Sequence, residues 1–234
     1  MDLLKKLSPL YILVIAAILG FTVLGDRAVT AMAQNDPIAR SQVFVIDAGH
    51  GGMDGGATSC TGIQESQINL EIALRLDDLM HFLGYDTVMI RTTDCSVYTE
   101  GNTISAQKVS DLKQRVKIVN ETKNAVLVSI HQNIFSDGRY SGAQVFYAPD
   151  DTSRELASCL QTAFVATLNP GSNRKCKKAD GVYLMEHIDK PGILVECGFL
   201  SNPEEEANLR SASYQKKLCA VIAATLSTHL GAGE

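Results

Sequence analysis

Apolar residues fall along this chain in two rhythms: short uninterrupted blocks, and longer stretches where they recur every three or four positions. The blocks at 43–46, 125–130 and 193–195 show no polar alternation, which predicts strands buried on both faces. Residues 85–90 and 142–147 predict two further strands. Ile68, Ile72, Leu76, Leu79 and Leu83 form a stripe that predicts a helix over 65–83, with Gly84 placed to end it. Helices are also predicted over 109–120, 152–168 and 214–230, the last mostly apolar and suited to dock on a sheet. Asn202 and Pro203 predict the start of one more short helix, because asparagine caps a first turn and proline fits inside it. The polar stretches 92–103 and 169–180 read as surface loops, the second basic with Lys175, Lys177 and Lys178. Strands alternating with helices of this length imply crossover connections. The expected fold is α/β: a single domain with a mainly parallel twisted sheet flanked by helices on both faces.

The first 33 residues stand outside that pattern. Lys5 and Lys6 precede an apolar run from 11 to 24, and Ala31-Met32-Ala33 has the small-residue form of a cleavage site. This segment is expected to be an export signal or, if it is kept, an N-terminal membrane anchor; its apolar run is short of the roughly 20 residues that span a bilayer. Residues 34–41, broken by Pro37, read as a linker, and 42–234 as the catalytic domain. Removing 1–33 takes away Lys5, Lys6, Arg27, Asp2 and Asp26, leaving 18 basic and 24 acidic side chains and a net charge of −6. Such a surface suits a phosphate backbone poorly, so no nucleic-acid partner is expected, and membrane contact is expected only through the N-terminal segment. The six cysteines include no CxxC pair, which argues against a zinc knuckle or a dense disulfide framework. Cys159, Cys197 and Cys219 lie in apolar runs and are expected in the core; Cys60, Cys95 and Cys176 lie in polar loops and could be oxidised after export.

Candidate chemistry gathers where the predicted strands stop. The first strand runs into Asp47, Ala48 and a turn that sets His50 among Gly49, Gly51, Gly52, Gly55 and Gly56. Glycines there allow close backbone approach to a ligand, but no Gly-Lys-Ser/Thr follows to make a phosphate loop. His131 follows the block at 125–130, and Glu196 closes the one at 193–195. Parallel strands would put these residues on one edge of the sheet, where α/β proteins bind ligands. Glu65 opens the helix that packs back from that edge. Glu71 competes with it but lies about 9 Å further along at ~1.5 Å per residue. Two imidazoles and a carboxylate with an open position make the usual catalytic zinc site, with His50, Glu65 and His131 as ligands. A second carboxylate, Glu196, would serve as base and then acid. His81 and His229 lie within helices, and His187 sits in what reads as a loop near enough to be considered.

The motifs VFVIDAGHGGMDGGA, QESQINLEIALRL, VSIHQN and ILVECGFLSNPEEE occur in that order, and with them the chain resembles the zinc-dependent N-acetylmuramoyl-L-alanine amidases of the type 3 family from about Val43 onwards. The resemblance implies a Zn2+ hydrolase that cleaves the amide between N-acetylmuramic acid and L-alanine on peptidoglycan glycan strands. It implies His50, Glu65 and His131 as ligands and Glu196 as the acid/base. Arg91, Arg115 and Asn133 fall in family-like stretches, and Asn133 and Arg91 are candidate substrate contacts. GAQVFY, GVYLMEH and VECGFLSNPEEE are similar to the spore-cortex branch of endospore formers. That branch implies muramic-δ-lactam formation with a deacetylase, and action outside the cytoplasm, in the cell wall or the forespore intermembrane space. Family members are often switched on by a protein partner, so an activating partner is expected. Ala48 stands where proline is common, Ser66 where lysine is frequent and Gln132 where a small residue is usual. Ala48 should loosen the turn at His50, since proline would fix φ. Two other readings remain open: a zinc carboxypeptidase or aminopeptidase on wall peptides, with Arg91 or Arg139 receiving a free carboxylate, and a non-catalytic wall-binding protein.

Overall fold

The structure is a computed structural model that describes residues 42–230. The export or anchor segment expected at 1–33 and the linker at 34–41 lie outside the described residues. Among the described residues, no helix is long and apolar enough to cross a membrane.

Six strands form one sheet: β1 (Val43–Ala48), β2 (Asp86–Met89), β3 (Ala125–Asn133), β4 (Gln144–Tyr147), β5 (Lys177–Lys178) and β6 (Gly192–Phe199). Their order is β2-β1-β3-β6-β4-β5, parallel throughout except where β4 runs antiparallel to β6. Helices α1 (Glu65–Phe82), α3 (Asp151–Thr167) and α6 (Ala212–Leu230) cover one face of the sheet. The other face is covered by α2 (Ile104–Glu121) and the short α4 (Tyr183–His187). A final short helix, α5 (Pro203–Leu209), follows β6.

The missing polar alternation in the sequence now has its reason. Phe44, Ile46, Val126, Val128, Ile130, Ile193 and Val195 point into the core under α1, α3 and α6, while Val45, Leu127 and Leu194 point into the core under α2 and α4. A strand with helices on both sides must be apolar at every position. The same parity places Asp47, Ser129, His131 and Glu196 on the α2/α4 side of the sheet.

Local signals account for the boundaries. Helix α1 ends in a Schellman turn: Gly84 (φ 86°) donates to the carbonyl of His81, and Tyr85 to that of Met80, each at 3.0 Å. Asn202 caps α5 by accepting from the N–H groups of Glu204 and Glu205. Helix α2 starts five residues before the expected position because Thr103 caps it, accepting from Ala106 N–H at 3.2 Å. Four other expectations are corrected. Residues 183–187 form a helical turn rather than a loop, and the basic loop holds the two-residue β5. Glu196 lies inside β6 rather than at its end, because Cys197 and Phe199 continue the buried run. Cys159 is exposed on α3, whose inward stripe is Leu156, Leu160 and Phe164. All six cysteines are free.

Strand order fixes where a ligand can bind. From β1 the chain crosses to β2 on one side, and from β3 it continues towards β4 on the other, so the connections diverge between β1 and β3. That switch point leaves a crevice outside the carboxyl ends of both strands.

Candidate active site

The backbone leaves β1 through a strained turn. His50 takes a left-handed conformation (φ 61°), which costs a residue with a Cβ roughly 1–2 kcal/mol. Two buried guanidinium groups hold it there. Arg91 donates from Nε to the Ala48 carbonyl at 2.8 Å, and from Nη2 to those of Gly49 and Ser66 at 3.0 and 2.8 Å. Arg115 donates to the carbonyls of Ala48 at 3.1 Å and His50 at 2.8 Å. Arg115 is itself fixed by Asp47 and by Asp111, and Asp47 also accepts from Ser129 at 2.6 Å. The loosening expected from Ala48 is therefore countered, because the arginines brace the turn from behind instead of a proline ring.

The same cluster decides the state of Asp47. Burial alone would push its carboxyl up, but the Arg115 and His131 charges and the hydrogen bonds from Ser129 and Arg115 outweigh that and hold it below the usual carboxylate range.

His50, Glu65 and His131 come together at the crevice. Nε2 of His50 lies 3.3 Å from Oε2 of Glu65, and Nδ1 of His131 lies 3.0 Å from Oε1. The two imidazole rings are 5.0 Å apart between centroids. One nitrogen or oxygen from each of the three residues lies within 4.8 Å of the others. Glycine makes this crowding possible. A Cβ on Gly56 would sit 2.6 Å from Oε2 of Glu65 and 2.7 Å from Cδ2 of His50, and one on Gly49 would overlap the His131 ring.

Glu65 and His50 are each oriented by further residues. Oε1 of Glu65 accepts from Gln132 N–H at 3.1 Å and Asn69 Nδ2 at 3.3 Å, and Oε2 accepts from Ala57 N–H at 3.0 Å. Gln132, in turn, donates from Nε2 to Asn69 Oδ1, so the larger residue at 132 extends the network around the carboxylate. The far nitrogen of His50, Nδ1, lies 3.0 Å from Asp54, whose other oxygen is held by Lys108 at 2.9 Å. Burial would lower His50, but hydrogen bonds and charges of Glu65, then Asp54, reverse this and raise it to about 9. Burial would raise Glu65, yet the two histidines hold it far below its ordinary range. Two imidazoles facing one carboxylate, with an outer carboxylate orienting one ring, form a donor set suited to a divalent cation that displaces protons.

Glu196 is the register partner of His131 across β3 and β6. Its Oε2 is buried with no hydrogen-bond partner among the described residues. Burial, reinforced by the Glu65 charge and opposed by both histidines, pushes its carboxyl up to about 7. A carboxyl poised there can hold or release a proton near neutrality. Glu196, His50 and His131 all line a cavity of about 440 Å³, walled by Tyr98, Leu112 and Tyr183.

The other candidates lie elsewhere. Arg91 is 3% exposed with its guanidinium committed to backbone carbonyls, so it braces the turn. Asn133 sits beyond a register shift in β3, outside the cavity, with its carbonyl accepting from Leu200. His187 stacks on Tyr183, also outside the cavity, and Glu71 accepts from Gln215 of α6. Arg139 pairs with Asp137 at the surface. The two cations on the cavity wall, Lys108 and Arg115, are already paired with carboxylates of the chain, so the site lacks the open positive charge that the carboxypeptidase reading requires. Sequence reasoning passed over Asp47, Asp54 and Asn69. Asp47 carried the signal used for Glu196, a carboxylate in a buried strand; Asp54 and Asn69 carried none.

Comparison with known proteins points the same way. Residues 44–228 match the N-acetylmuramoyl-L-alanine amidase family. The germination-specific N-acetylmuramoyl-L-alanine amidase of Bacillus subtilis is 37% identical over 183 residues, 77% of this chain and 76% of that protein. The CwlD amidase from Clostridioides difficile, solved in complex with the GerS lipoprotein, aligns with a TM-score of 0.78 and 35% identity over 82% of this chain and all (100%) of that one. An N-acetylmuramoyl-L-alanine amidase from Clostridium difficile 630 aligns with a TM-score of 0.71 and 30% identity over 82% and 98% of the two chains. A crevice built at the sheet's switch point and a likeness that runs through the whole described domain lead to one assignment: the chain belongs to the N-acetylmuramoyl-L-alanine amidases, hydrolases of cell-wall peptidoglycan.

Proposed function

We propose that this amidase is a zinc enzyme of the spore cortex, with His50, Glu65 and His131 holding the metal and Glu196 moving the proton. The unpartnered buried oxygen of Glu196, beside a two-imidazole, one-carboxylate donor set, is the observation that carries this reading. Zinc bound there supplies a Lewis acid and lowers the pKa of water to about 7. Glu196 takes the proton from the water that attacks the lactyl carbonyl, and then delivers it to the departing amine nitrogen of L-alanine. Its raised pKa suits both halves of that transfer. Asp54 keeps His50 turned so that Nε2 faces Glu65, and Asn69 and Gln132 keep the Glu65 carboxylate facing both rings.

The cortex role rests on the likeness to the germination-specific enzyme. In that role, stripping the peptide from muramic acid prepares the sugar for a deacetylase and closure to muramic-δ-lactam. Because the substrate lies outside the cytoplasmic membrane, the chain acts there, exported through residues 1–33. The complex of the clostridial relative with a lipoprotein supports a protein partner here as well. Digestion of purified cortex peptidoglycan tests the reaction: new N-terminal alanine is the expected product, and release of free C-terminal residues in its place would refute it. An added partner that leaves the rate of the chain unchanged would refute an activating role for it.

A further inference from the structure

Residues 134–143, which lead from β3 to β4, carry three large apolar side chains to the surface: Ile134, Phe135 and Tyr140 are 48%, 51% and 47% exposed. The two rings belong to an ordered row. Phe135 and Tyr140 pack edge to face with centroids 4.6 Å apart, Tyr140 tilts against Phe199 at 6.2 Å, and the Arg174 guanidinium lies 4.6 Å over the Phe199 ring. The backbone is fixed beneath them, with Phe135 N–H donating to Ser201 and the Tyr140 carbonyl accepting from Asn202.

The row leads back to the catalytic carboxylate. Arg174 donates to the Gln144 side chain at 3.0 Å and to the Ser141 carbonyl at 2.8 Å. Gln144 is the register partner of Glu196 across β4 and β6. Partners in that register carry their side chains on one face about 5 Å apart. The row therefore starts on the strand of Glu196 itself, at Phe199, and is tied through Arg174 to Gln144, the register partner of Glu196.

The substrate is a polymer, whereas the cavity is the size of a small-molecule pocket and holds only the junction being cut. The neighbouring sugars must lie along the outside of this edge. An amino-sugar ring has an apolar C–H face and a polar rim, and exposed aromatic rings bordered by a guanidinium and a serine carbonyl complement both. We propose that Phe135 and Tyr140 form a saccharide platform for the amino sugars flanking the muramoyl unit under attack. This rests on the peptidoglycan reading above.

The test compares the full chain with the double variant Phe135→Ala/Tyr140→Ala on polymeric peptidoglycan and on a single N-acetylmuramoyl peptide, which reaches only the cavity. Sedimentation with peptide-free N-acetylated glycan gives a second readout. The variant should lose about tenfold or more in kcat/KM on the polymer, keep its rate on the monosaccharide peptide, and no longer sediment with glycan. Tyr140→Phe, which keeps the ring, should behave as wild type. Equal losses on both substrates, or no loss on either, would overturn the proposal; so would an unchanged polymer rate with loss only of a protein partner. A wild-type chain that binds the glycan but cleaves neither substrate would sink the amidase mechanism and leave the platform standing.

Discussion

Gly49→Ala is the sharpest probe of the site, because the backbone there tolerates alanine and the nearest atoms to the added methyl all belong to the His131 ring. The added methyl would sit 2.7 Å from Cδ2 of His131, and closer still to Cε1 and Nε2, while ordinary carbon contacts lie at about 3.5–4.0 Å. The ring must retreat by roughly 1 Å, and a misplacement of that size can cost about 10²-fold in rate. Overpacking should lower stability by about 1–3 kcal/mol, too little to unfold a domain with about 5–15 kcal/mol in hand. Gly62→Ala is the control: φ is 91° there, and a methyl would meet nothing within 4 Å. It should cost a comparable ~1–2 kcal/mol through backbone strain alone. Release of N-terminal alanine, bound zinc per chain and thermal melting, measured on both variants, separate site damage from lost stability. A Gly49→Ala enzyme as active as Gly62→Ala would refute the claim that glycine is needed to admit the imidazole.

Glu196→Gln should keep the fold and metal binding but lose about 10²–10⁴-fold in rate, since an amide cannot accept the proton; near-normal turnover would remove Glu196 from the chemistry. Chelation should abolish activity. Restoring zinc at about 100 times its Kd should stabilise the chain by about 2.7 kcal/mol, a rise of roughly 5–10 °C in Tm, so a Tm indifferent to zinc would argue against the site. Asp47→Asn leaves Arg115 with Asp111 as its remaining carboxylate partner and should cost about 1.5–3 kcal/mol at neutral pH. Because Asp47 titrates lower in the folded chain than its unfolded value of about 3.9, its stabilisation is present above that pH and fades as pH falls through the folded pKa. Urea midpoints of wild type and variant should therefore converge below about pH 4; a constant gap would mean that the ion pair is not its source.

Legibility in the sequence followed the range of the physics involved. Local rules were enough for the Gly84 stop, the Asn202 cap and the α1 stripe, since each depends on neighbours within one turn. They missed the cap at Thr103 because the residues after it carry no apolar stripe, and they placed Cys159 inward because an apolar run does not show which side of a helix faces the core. The bracing role of Arg91 was hidden for a similar reason. An arginine near a site is equally compatible with a ligand and with a bare carbonyl, and only the turn at Ala48, Gly49 and Ser66 shows which one it meets.

The order of residue types along the chain by itself determined the α/β alternation, the buried strands and the residues capable of chemistry, because those depend on hydrophobicity, side-chain chemistry and short-range backbone preference. The tertiary structure alone decided that the connections from β1 and β3 run to opposite sides and open the crevice, that Glu196 stands opposite His131 from within a strand, and that two arginines and Asp47 hold the turn carrying His50. These are contacts between segments tens of residues apart, set by strand register and side-chain parity, and no local pattern encodes them.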